Sequence, residues 1–141
     1  MSLDVYLTRS KWVSYDKGQT YKEENEDLYD ANITHNLCKM AMEAGLYKAL
    51  WRPYMLKEGY IDFGPDQYKE ECEFEESQEI LAKELIDPVE KGLEKLKSDP
   101  EYFEQFNSPN GWGMYEHFVP FVERYLEALK EYPDAIVGVS R

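Results

Sequence analysis

The sequence predicts an α+β fold, with a small antiparallel sheet of N- and C-terminal strands plus a hairpin, packed against three to four helices. Three observations lead there. Leu3, Val5 and Leu7 alternate with Asp4, Tyr6 and Thr8, the period of a half-buried strand. From Thr34 the apolar residues recur instead at helical spacing. After Pro133 the run Ala135–Val139 returns to strand character, and the first strand is its natural partner. With 141 residues, 43% of them hydrophobic, the chain is long enough to bury a core as one domain spanning 1–141.

The elements follow in order. Trp12-Val13-Ser14-Tyr15 and Gln19-Thr20-Tyr21 flank Asp16-Lys17-Gly18, a hairpin turn. The acidic run Glu23–Asp27 reads as an exposed edge or loop. Leu37, Met40, Ala41 and Ala44 form a helical stripe that Gly45 ends, and Leu46–Trp51 adds a turn before Pro53. Pro53, Gly59, Gly64 and Pro65 announce irregular structure. Tyr68, Glu70, Cys72 and Phe74 alternate with Lys69, Glu71, Glu73 and Glu75, as in a strand with one acidic face; the alternative is a helix continuing from this point. Residues 77–97 read as two helical pieces, because Asp87-Pro88-Val89-Glu90 has the form of a helix N-terminus. Leu81, Leu85, Val89, Leu93 and Leu96 line one face across that joint. Asp99-Pro100 opens a short piece with Tyr102, Phe103 and Phe106. The last helix runs from about Met114 to Tyr132 and turns Phe118, Phe121, Val122, Tyr125, Leu126 and Leu129 inward, with Pro120 placed to bend it.

Charge narrows the function. The net charge is −13, with acids clustered at 23–30 (Glu23, Glu24, Glu26, Asp27, Asp30) and at 70–84, where Lys83 is the lone base. Such a surface disfavours direct binding to nucleic acid or to an anionic membrane. No apolar run approaches the length of a membrane span, so the expected location is cytoplasmic. Cys38 and Cys72 are the only cysteines, lie on apolar faces and keep no metal-ligand spacing.

Two polar loops stand out, each where a helix begins. One is Asn32-Ile33-Thr34-His35-Asn36, with Thr34 placed as a cap. The other is Asn107-Ser108-Pro109-Asn110-Gly111-Trp112-Gly113-Met114-Tyr115, which sets an indole between two glycines. Glycines allow close backbone approach, and an indole offers a flat apolar face. Trp51 and Arg52, beside Tyr54, add a stacking surface and a cation. The predicted ligand lining is therefore Asn32, His35, Asn36, Trp51, Arg52, Asn110, Trp112 and Tyr115. Arg9, Arg124 and Arg141 are weaker cationic candidates. His35 and His117 are the only histidines, and neither has a nucleophile or second ligand at a spacing that declares catalysis or metal binding. No cofactor is expected.

The start Ser2-Leu3-Asp4-Val5-Tyr6-Leu7, the segment Asp30–Leu37, Ala49-Leu50-Trp51-Arg52-Pro53, Asn110–Glu116 and the closing Tyr132–Arg141 resemble a family of small proteins found in phages and prophages. Residues 54–76 fall outside the resemblance and read as a family-variable insertion. The family carries no assigned reaction, so the resemblance implies a setting and no catalytic residue. That setting favours a counter-defence role. The first expectation is a homo-oligomeric, non-catalytic protein that sequesters a nucleotide-derived host immune signal. The alternative is an acidic inhibitor that mimics nucleic acid and docks on a host defence protein such as a nuclease.

Overall fold

In a computed structural model, the structure describes residues 2–62, 64 and 79–141. The expected strand over Tyr68–Phe74, the Cys72 thiol and most of the 70–84 acidic block lie outside these residues. An antiparallel sheet of order β2-β1-β3 is built from β1 (Ser2–Val13), β2 (Lys22–Thr34) and β3 (Ile136–Ser140). The five helices among the described residues are α1 (Cys38–Ala44), α2 (Tyr47–Trp51), α3 (Ala82–Ser98), α4 (Pro100–Glu104) and α5 (Tyr115–Glu131). Single 3-10 turns at His35–Leu37 and Pro53–Leu56 join the first helices to their neighbours. The class is α+β, as the alternating and helical patterns require.

The sheet is anchored by its central strand. Leu3, Val5 and Leu7 of β1 are fully buried and pair with Ile33, Ala31 and Tyr29 of β2. On the other side Val5 and Leu7 pair with Val139 and Val137 of β3. Glu23–Asp27, expected as an edge or loop, is edge strand. A register shift between Leu7 and Thr8 admits Leu28 as an extra residue in β2, and β3 ends opposite Thr8. Beyond that point β1 and β2 continue alone as a two-stranded arm, on which Arg9 faces Glu26 and Lys11 faces Glu24. At its tip Lys17 and Gly18 take positive φ. The Asp16 carboxylate accepts from the Thr20 amide and hydroxyl and from Ser14 Oγ, which hold it down to about 2.

The helices close one hydrophobic core over the sheet. Phe118, Phe121, Val122, Tyr125, Leu126 and Leu129 of α5 are all buried, each such burial being worth about 1.5–3 kcal/mol. α3 differs from the expected two pieces. It runs unbroken through Pro88, and Asp87 caps nothing. Leu85, Val89, Leu93 and Leu96 are buried along one face, so tertiary packing outweighs the helical bond that proline removes from the Glu84 carbonyl. The true N-terminus lies at Leu81. There the Glu84 carboxylate accepts from the Leu81 amide, while the Ala82 and Lys83 amides donate to the carbonyls of Ala135 and Pro133. Gly92 lets α3 pass the α1–α2 corner, because a methyl there would collide with the Leu46 side chain.

Candidate functional site

The two polar loops meet within one chain. Asn36 Nδ2 donates to the Trp112 carbonyl at 2.8 Å. Gly113, at φ +110°, lies against Asn36 so closely that a Cβ would sit 2.8 Å from the Asn36 Cβ. The close approach allowed by this glycine is therefore to Asn36 of the same chain. The neighbouring residues brace the loop from within. Asn110 Oδ1 accepts from Ser108 Oγ and from the Trp112 amide, and the Ser108 amide donates to the Gly113 carbonyl. With the backbone fixed in this way, the Trp112 side chain is left 72% exposed. It neither plugs the core nor sits between other rings.

Both helix entrances are capped by side chains. Thr34 Oγ1 accepts from the Asn36 amide, and Asn107 Oδ1 accepts from the Tyr115 amide at 2.7 Å. The N-cap residue of α5, Met114, makes no side-chain cap bond, so the first helical amide is satisfied by Asn107 from the preceding loop. The Tyr115 hydroxyl donates to the Leu96 carbonyl and pins α5 to the end of α3. Asn32 lies on exposed β2, where its amide bonds Ser2 Oγ and Asp4 Oδ1 across the strand pair. Asn32 and Tyr115 are thus held by structural contacts to either side of the junction that Asn36 makes with Trp112.

His35 connects this junction to the interior. Trp51, 1% exposed, donates from its indole nitrogen to His35 Nδ1 at 2.9 Å and stacks on Tyr47. Because an indole nitrogen can only donate, Nδ1 must be the unprotonated nitrogen of the neutral ring. Nε2 then carries the hydrogen; it is buried and has no partner among the described residues. In this state the imidazole offers a donor and no basic lone pair. Arg52, next along α2, donates from Nε to the Tyr47 hydroxyl and from Nη1 to the Tyr54 hydroxyl. The Cys38 thiol is half-buried and is pushed up by that burial.

Of the predicted lining, His35, Asn36, Trp51, Arg52, Asn110 and Trp112 thus belong to one run of hydrogen bonds and chain neighbours. Tyr47, Tyr54 and Asn107 also take part in these bonds but are not in the predicted lining, although the sequence already places Tyr54 beside Arg52 and Asn107 at the opening of the second polar loop. Of the weaker cations, Arg9 pairs with Glu26 at 3.0 Å, and Arg141 reaches the Trp51 carbonyl. His117 is exposed, 3.8 Å from Glu116. Among the described residues no group of three His, Cys, Asp or Glu could hold a metal ion, and no helix is long and apolar enough to cross a membrane. No protein-family model matches the chain, and neither the curated proteins nor the solved structures give a significant match.

Proposed function

We propose that this is a non-catalytic, phage-type counter-defence protein that binds and sequesters a nucleotide-derived host signal. The observation that supports it is the Trp112 indole, exposed on a loop whose backbone is fixed by Asn36, Asn110 and Gly113. A loop whose backbone is already fixed loses less entropy when a ring stacks on the indole it carries, and base stacking contributes about 1–3 kcal/mol. Donor groups beside it would supply orientation. The engagement of His35 Nδ1 by Trp51 argues for binding without turnover, since the imidazole then lacks the lone pair a general base needs. Exposed Trp12, Tyr15 and Tyr21 on the β1–β2 arm favour self-association of the sequestering form.

Isothermal titration against cyclic nucleotides and ADP-ribose derivatives tests the reading. One member of the panel should bind and be recovered unaltered by chromatography, and Trp112→Ala should weaken it by roughly tenfold or more. Silence across the whole panel, or the appearance of a product, would defeat it. Light scattering of the free protein reports the oligomeric order.

A further inference from the structure

A second constellation begins one hydrogen bond from His35, where α2 runs into the Pro53–Leu56 turn. Arg52 Nε donates to the Tyr47 hydroxyl at 3.0 Å, and Nη1 donates to the Tyr54 hydroxyl at 2.8 Å. A phenol oxygen that accepts from a guanidinium must aim its own hydrogen elsewhere. Among the described residues neither the Tyr47 nor the Tyr54 hydroxyl finds an acceptor for that hydrogen, and Nη2 of Arg52 has no partner. Among the described residues Arg52 has no carboxylate partner either, which is unusual in a chain of net charge −13. The influences on its guanidinium are the two phenols, which raise it further, and burial, which opposes them.

Arg141 brings a second guanidinium to the same corner. Its Nη1 donates to the Trp51 carbonyl at 3.0 Å, and its Cζ lies 5.9 Å from the centre of the Tyr54 ring. Tyr54 is thus approached by Arg52 at its hydroxyl and by Arg141 over its face. Tyr60 supports the ring edge-on at 5.8 Å. The corner therefore combines two fixed cations with two hydroxyl hydrogens, and the hydrogens that Arg52, Tyr47 and Tyr54 leave over have no acceptor there. Donor-rich sites of this kind recognise anions.

We propose that Arg52, Arg141, Tyr47 and Tyr54 form a binding site for a phosphoryl group. Tyr47 already occupies Nε of Arg52, which blocks the Nε–Nη2 edge, one of the two on which a planar carboxylate can be held bidentate. A tetrahedral group carrying several acceptor oxygens can instead take Nη2 and the phenol hydrogens from different directions. This goes beyond the stacking role of Trp112 and does not require it, so the test uses a probe without a base.

Titration of the 15N-labelled protein with orthophosphate at constant ionic strength, following the arginine Nε–Hε signals, decides the matter. The Arg52 signal should shift and saturate, and acetate over the same range should leave it in place. A Tyr47→Phe/Tyr54→Phe variant keeps both rings and should bind phosphate roughly tenfold more weakly. Adenosine monophosphate run alongside separates the two sources. Tighter binding than orthophosphate marks a nucleotide site and weaker binding a free-phosphate site, and either result keeps the phosphoryl assignment. An Arg52 signal that ignores both phosphates, or follows acetate equally well, overturns it. So does a double phenylalanine variant that binds as tightly as the parent.

Discussion

His35 and Tyr125 both bury a polar atom that has no partner among the described residues, yet deleting each should have opposite effects. Tyr125 lies fully inside beneath Tyr29, and burial pushes its phenol far up. Its ring packs and its hydroxyl bonds nothing, so Tyr125→Phe should stabilise the protein, by roughly 1–3 kcal/mol if the whole desolvation cost is recovered. His35 carries an orphaned Nε2, but its Nδ1 serves the buried Trp51 indole. His35→Ala should therefore cost about 1–3 kcal/mol, because it strands the Trp51 N–H in the interior. Urea unfolding of the two variants measures both values, and shifts of the same sign would contradict this account. The sequence marked His35, Asn36 and Trp112 because polar and aromatic residues are conspicuous in a helix-entry loop. It did not show that Asn36 would spend its amide on the Trp112 carbonyl, since that bond joins segments far apart in the chain.

At the level of elements, the patterns that proved legible were the ones burial enforces. The alternation in β1 and the stripe in α5 are read directly, because a slip in either would expose Leu3 or Phe118. The Asp87-Pro88 signature misled because capping preferences are local and modest, whereas α3 is held along its length by Leu85, Val89, Leu93 and Leu96. Its actual start depends on carbonyls contributed by Pro133 and Ala135, which no local motif announces. Pro88→Ala should return a helical N–H to the Glu84 carbonyl and raise stability by roughly 1–3 kcal/mol. A lower midpoint in urea for that variant would mean that Asp87-Pro88 is a helix start after all.

Across the whole molecule, stability is distributed unevenly. Residues 4–8 of β1 have a strand on both sides and helices over one face, whereas the arm beyond Thr8 has one partner and charged side chains. Amide exchange should be slow for Leu3, Val5 and Leu7 and much faster for Lys11, Val13 and Glu24. The arm also carries its own acid sensitivity. The Asp16 carboxylate is held below its unfolded value of about 3.9, so its contribution is complete above that value. It disappears as pH falls towards about 2. The Thr20 amide signal should titrate in that window. A Thr20 midpoint at the ordinary aspartate value would show that the Asp16 bonds do not form in solution.

The carbonyls of Pro133 and Ala135 finish the start of α3, and β3 supplies the second neighbour of β1. During vectorial synthesis both partners leave the ribosome after everything they stabilise. Until the segment 133–140 has emerged, the nascent chain holds a sheet with one flank open and a long helix with bare leading amides. Translation that terminates before that segment would therefore yield chains that quality-control proteases degrade, and protein would accumulate only when synthesis passes residue 140.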